Sequence, residues 1–290
     1  MSGSGHGTGT GTTTSTVPAM TADALAAAVR PRRFGAFYVA EHALRSMRAY
    51  GWTIVVGGVG TPLLYLLGIG LGLATLIEAP VAAGPGGPVP YVQFVAPALL
   101  ATAAITVTTE EFTYTVMMGF KWRRIFWGMN ASPVSPTQVA GGLVLATSVR
   151  ILFTATMYAV LVALFGAATW AAAAALVPIG LLAGFAFGLP LLAYSGHLRD
   201  DAGQFSVVQR FVFTPMFLFS GTFYPLDTLP VWLHWIGWVS PLWHASELGR
   251  AVSYGTTAPA WLTVVHVVVL VVLAVVGWLL ARRAFTRRLR

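Results

Sequence analysis

Cysteine is absent from the 290 residues, so no disulfide framework, iron–sulfur cluster or thiolate metal site can form, and redox compartment cannot be read from cysteine usage. Charge is nearly as scarce. Only 9% of residues are Asp, Glu, Lys or Arg, against roughly 25% in a soluble domain, which must clothe its surface in groups that water solvates. A soluble single domain is thereby excluded. Several catalytic signatures are missing too: no Gly-x-x-x-x-Gly-Lys-Ser/Thr phosphate loop, Gly-x-Ser-x-Gly elbow, His-Glu-x-x-His pair or Asp-rich calcium loop occurs. The chain alone therefore cannot cradle and hydrolyse ATP in the familiar way. The six histidines are dispersed; only His234 and His244 share a segment, with Glu247 nearby, which is a weak metal hypothesis, and no metal is expected. Asp200-Asp201 reads as a solvated turn between spans.

What is abundant is apolar. Hydrophobic residues make up 57% of the chain and are gathered into long runs, the arrangement produced when lipid surrounds each segment. An all-α membrane protein is expected, with six transmembrane helices at about 52–77, 92–113, 138–165, 170–195, 206–224 and 259–281. The fifth is the least regular, because Arg210 sits near its start and Pro215 interrupts it. Residues 1–33 read as a disordered Gly/Thr-rich tail and basic linker, and 34–290 as the transmembrane domain. No cleavable signal pattern precedes residue 50, so the first apolar run is expected to stay as an anchor. From Phe34 to Tyr50 apolar residues recur at helical spacing, suiting an N-terminal amphipathic helix lying in the membrane interface or packed on another subunit.

Orientation follows from the basic residues. Arg30, Arg32, Arg33, Arg45 and Arg48 precede the first span, and Lys121, Arg123 and Arg124 lie between spans two and three. Arg199 and Arg210 flank the junction of spans four and five, and Arg282, Arg283, Arg287, Arg288 and Arg290 follow span six. The opposite-side segments carry only Arg250, with Glu78, Asp227 and Glu247. Both termini are therefore expected in the cytoplasm. This asymmetry accounts for the net charge of +8 through topology and anionic lipid, without nucleic acid.

Four features stand out from plain spans. Gly180, Gly184 and Gly188 in span four, and Gly68 and Gly72 in span one, recur every fourth residue and permit close helix approach. Arg150 lies deep in span three, where an unpaired charge is costly, so Glu110 or Glu111 of span two is its expected ion-pair partner, with a substrate headgroup as the alternative. The inner loop mixes Lys121, Arg123 and Arg124 with aromatics read as exposed, Phe120, Trp122, Phe126 and Trp127, and breaks at Ser132-Pro133 and Ser135-Pro136. A short amphipathic helix results, resting on headgroups or inserting into a cytoplasmic partner. On the outer side, residues 223–255 are too apolar for a water-exposed loop, yet the run Val231 to Val239 is too short to cross. Trp232, Trp235, Trp238 and Trp243, with Pro225, Pro230 and Pro241, suit a re-entrant segment of broken helices dipping into the outer leaflet between spans five and six.

At residues 214–250 the ordered combination Phe-Leu-Phe-Ser-Gly-x-Phe-Tyr-Pro, Leu-Pro-x-Trp-Leu and Pro-Leu-x-His-Ala-x-Glu-Leu resembles the signature of type-2 ABC exporter permeases. Lys121-Trp122 and Ala131-Ser132-Pro133-Val134-Ser135-Pro136 are similar to the branch containing nodulation-type lipooligosaccharide exporters and daunorubicin-type drug exporters. Trp243 stands where that pattern has Thr. The resemblance implies a bacterial plasma-membrane permease subunit that pairs with a second copy, most simply as a homodimer. It would bind two copies of a separate cytoplasmic ATPase, which supplies ATP and Mg²⁺, and move an amphipathic substrate outward: a lipid-linked saccharide, glycolipid or hydrophobic drug. The chain itself would be no enzyme and hold no cofactor. Phe120, Lys121, Trp122, Arg123, Arg124, Ile125 and Phe126 would form the ATPase-coupling loop. Phe223, Tyr224, Pro225, Trp232, Trp235, Trp238, Pro241, His244 and Glu247 would form the outer cap. The rival reading from the residues is a secondary carrier or channel working without ATPase.

Overall fold

The computed structural model describes residues 17–72, 82–255 and 257–290. Most of the segment read as a tail, 1–16, lies outside them, as does 73–81 at the end of the first expected span. From Val17 the chain is helical: α1 (Val17–Met47) runs through Thr21 to Val29, an Ala-rich stretch of high helix propensity, and kinks at Phe34. The basic stretch read as a linker is therefore helical. Beyond the kink, Val39, Ala40 and Met47 are buried. The helix packs on the chain's own third span, with Gln138 Nε2 donating to the Arg32 carbonyl at 2.6 Å, while Phe37 and Tyr38 stay exposed. Helical structure continues through α2 (Gly51–Tyr65) and a wider turn at Leu66–Gly72.

A small antiparallel hairpin of β1 (Ala82–Gly84) and β2 (Gly87–Val89) follows, which an all-α reading does not include. Then come α3 (Tyr91–Phe112), the inner helices α4 (Tyr114–Met117) and α5 (Ile125–Ala131), α6 (Pro136–Leu164) and α7 (Trp170–His197). The start of α6 is set by chemistry the sequence displays. Ser135 caps it, accepting from the Gln138 backbone N–H, Gln138 reaches back to the Ser135 N–H, and Pro136 occupies the first turn. The last helix is α12 (Ala260–Arg288).

Among the described residues five helical stretches are long and apolar enough to cross a membrane: Arg32–Gly68, Tyr91–Trp122, Pro136–Leu164, Trp170–His197 and Ala260–Arg288. The fifth expected span is instead a run of three abutting helical pieces, α8 (Gln204–Val208), a wide turn at Gln209–Phe213, and α9 (Thr214–Phe219). At 1.5 Å per residue it is about 24 Å long, short of the ~30 Å hydrocarbon layer. Its end at Ser220 comes from the sharp reversal at Gly221, whose φ of +70° is open to glycine.

The glycine stripe of α7 carries the packing. A Cβ on Gly180 would lie 2.7 Å from Leu100, on Gly184 3.2 Å from the Ala104 carbonyl, and on Gly188 2.5 Å from Thr108. These three residues bring α7 against α3, while Gly277 of α12 meets Pro190 just as closely. Among the described residues a Cβ on Gly68 would meet nothing within 4 Å, and one on Gly72 would meet the Leu67 carbonyl of its own segment at 3.3 Å. Gly188→Leu should therefore lower the thermal midpoint of the detergent-purified protein by an overpacking cost of about 1–3 kcal/mol. Gly68→Ala should leave the midpoint unchanged, as read by thermal unfolding of the two variants side by side.

Candidate functional site

The charge within the third span is answered as the sequence suggests. Arg150 lies about 21 Å along α6 by helical rise, and its guanidinium forks onto Glu110 and Glu111 of α3, donating to Glu111 Oε1 at 2.5 Å. Glu111 is buried and Glu110 half exposed. The fork leaves Arg150 Nε with no hydrogen-bond partner among the described residues. Glu110 and Arg150 lie in the wall of a cavity of about 540 Å³ shared by α2, α3, α6 and the short fifth helix. Its lining is apolar with interspersed hydroxyls: Thr53, Thr61, Thr102, Thr106, Thr154, Tyr50, Tyr65 and Tyr158. The Tyr158 hydroxyl is buried and has no hydrogen-bond partner among the described residues. A second cavity of about 460 Å³ shares Thr106, Glu110 and Phe213 with the first and extends past Tyr114 to Gln209 and Arg210. Joined through these shared residues, the two make one groove, with Glu110 and Arg150 in the wall of the first cavity and Arg210 in that of the second.

The inner loop divides into two sets. Phe120 and Phe126, read as exposed, are buried, because their rings pack edge-on at 4.9 Å and both meet Phe285 of α12. A Cβ on Gly119 would overlap Phe126, so the close approach demands glycine there. Arg288 lies over the Phe120 ring at 3.9 Å. Trp122, Lys121, Arg123 and Arg124 are exposed and Ile125 is partly so. Arg124 adopts φ of +52° at the entry to α5, the sharp turn that separates the two sets. Lys121 is ion-paired to Asp200, whose carboxyl is held below its usual range by that lysine. Asp201 Oδ1 accepts from the backbone N–H groups of Gly203 and Phe205, capping α8. The Asp200-Asp201 turn is thus a structural joint.

On the other side, Pro225 opens a single turn at Leu226–Thr228, a second follows at Val231–Leu233, and α10 (His234–Val239) leads into α11 (Pro241–Tyr254), capped by Ser240. Trp232, Trp235 and Trp238 are exposed, while Phe223 packs on Phe217 at 5.0 Å and Tyr224 donates to the Leu218 carbonyl at 2.8 Å. Two residues outside the expected cap set hold it together. Arg250, read simply as an outer-side charge, is 3% exposed and donates to the Phe94 and Gly221 carbonyls and to Glu247. It lies over the Phe94 ring at 3.7 Å. His266, read as a mid-span ionisable residue, sits near the outer end of α12 and shares a 2.7 Å Nδ1 to Nδ1 hydrogen bond with His244. His234 instead meets the Leu229 carbonyl, so it does not converge with His244 and Glu247 on a metal. The His266 partnership has no local signal, since the two histidines are 22 residues apart.

Two outcomes follow. Arg150→Ala should cost about 3–5 kcal/mol by stranding Glu111, Glu111→Gln should cost more than Glu110→Gln, and neutralising both acids in Arg150→Ala should recover part of the loss in thermal unfolding. Burial pushes the His244 imidazole below its usual value of about 6.5, so the folded state holds it neutral. Stability contributed by that neutral form is full above about pH 6.5 and is lost as acid protonates the unfolded chain preferentially. The midpoint should therefore fall between pH 7 and 5, and less so in His244→Gln.

The sequence profile of the ABC-2 type transporter family matches residues 42–254. Nodulation protein J of Rhizobium leguminosarum bv. viciae is 27% identical over 235 residues, 81% of this chain and 87% of the relative. The protein of that name from Rhizobium meliloti is 26% identical over 235 residues, covering 81% and 86%. That from Bradyrhizobium diazoefficiens is 26% identical over 259 residues, covering 83% and 95%. No solved structure matches the chain. With its stacked apolar helices and a family match over most of its length, the chain belongs to the ABC-2 type transporters, as a membrane permease of the nodulation-type branch.

Proposed function

We propose that this permease exports an amphipathic substrate, a lipid-linked saccharide, glycolipid or hydrophobic drug, using ATP hydrolysed by a separate cytoplasmic subunit. The carrying observation is the groove. Apolar walls suit an acyl or terpenoid chain, the ring of Thr and Tyr hydroxyls suits a polar head, and Arg210 at the mouth faces the cytoplasmic side under the positive-inside orientation. The groove opens along the face where α2, α3 and the fifth helix meet, so a second copy of the chain would complete its walls. In this reading the short fifth helix crosses the membrane with local thinning, and residues 223–255 form a re-entrant outer cap. Both termini face the cytoplasm of a bacterial cell.

Phe120 and Phe126 belong to the core, so contact with the ATPase falls to the exposed Trp122 and Arg123, and α4, α5 and the buried aromatic cluster carry its motion to α12. Trp122→Ala with Arg123→Ala should leave the permease folded and reduce coupled transport by about tenfold or more, since paired aromatic and Arg anchors carry most of an interface's energy. Substrate efflux and ATP turnover in proteoliposomes holding both subunits measure this. Unaltered efflux would move the contact elsewhere. Transport by the permease without any ATPase would overturn the proposal as a whole.

A further inference from the structure

A third cavity, of about 710 Å³, shares no lining residue with the groove, and neither Trp122 nor Arg123 stands in its wall. Five cations converge on it from separate elements: Lys121 and Arg124 of the inner loop, Arg199 just beyond the end of α7, and Arg287 and Arg288 at the end of α12. Lys121 is engaged by Asp200, and Arg288 donates to the Ser195 and Gly196 carbonyls. The guanidinium groups of Arg124, Arg199 and Arg287 make no ion pair or hydrogen bond among the described residues. Like charges crowded this way repel one another, and no acid in the cavity wall offsets them.

We infer that this cradle binds the anionic phosphate headgroup of an inner-leaflet phospholipid. Three observations favour a lipid over another anion. The cations sit where α7 and α12 end on the positive side, the depth at which headgroups lie. Trp127 forms part of the wall, its indole N–H donating to the Phe120 carbonyl at 3.1 Å while its ring stays partly exposed, an amphipathic side chain at headgroup level. Below the cradle, Val272, Val276 and Leu280 are exposed along α12 at spacings that lead through Arg283 to Arg287, a track for an acyl chain. Basic recesses between spans on the cytoplasmic side recognise headgroups in this way. The site is independent of the ATPase proposal.

The test uses the purified full chain in neutral detergent, doped with phosphatidylglycerol or phosphatidylcholine, with retained lipid counted by native mass spectrometry. The wild type should retain phosphatidylglycerol preferentially. Arg124→Gln, Arg199→Gln and Arg287→Gln together should weaken that retention by about tenfold or more. Arg48→Gln, Arg282→Gln and Arg290→Gln, an equal loss of charge outside the cavity, should preserve it. The cradle variant should unfold at the same or a higher temperature in lipid-free detergent, because its substitutions relieve repulsion and break no contact. Equal losses in both variants, or none in the cradle variant, would overturn the inference. So would displacement of the lipid by an equal concentration of inorganic phosphate, which would assign the site to a free anion, or its expulsion when the ATPase docks, which would assign it to a protein.

Discussion

Lipid tails are as apolar as leucine, so burying leucine between helices gains little once the chain is in the membrane, and adhesion depends on how closely backbones approach. The close seating of α7 on α3 at Gly180, Gly184 and Gly188, and of α12 on α7 where Gly277 meets Pro190, is the constraint from which the rest follows. It brings the inner ends of α7 and α12 together, places Phe285 over Phe120 and Phe126, and leaves α2 and the fifth helix to enclose the groove from one side only.

A chain with so few charges uses those it buries as fasteners. Arg150 joins α6 to α3 at depth, and Arg250 joins α11, α3 and the reversal at Gly221 on the outer side. Each is satisfied by several acceptors, as burial in a poor solvent requires. The difference lies in their surroundings. Arg250 is enclosed by carbonyls and an aromatic face, whereas Arg150 borders a cavity and keeps one nitrogen unpaired.

Much of this was legible in the chain. Three long spans, α3, α6 and α7, match their apolar runs within a few residues, because hydrocarbon thickness imposes length directly, while α12 begins where expected and runs seven residues further. The Arg150 partnership followed from the cost of a lone charge, and the glycine stripe from its spacing. The aromatics of the inner loop were misread for a physical reason: Phe120 and Phe126 are covered by Phe285, 159 or more residues away, and nothing local distinguishes them from Trp122 and Trp127. Arg250 and His266 were hidden likewise, their partners lying on other elements. The fifth helix was overextended because Phe, Leu and Tyr continue past the glycine that turns the backbone.

The exposed bond between Lys121 and Asp200 lies one residue from Asp201, which caps the first turn of the fifth helix. Phe213 and Phe217 of that same helix stand in the groove wall. A push on the inner loop therefore reaches the groove wall across a single weak, water-washed clasp and about three helix turns, without passing through the buried aromatic cluster; the clasp is cheap to open and quick to remake.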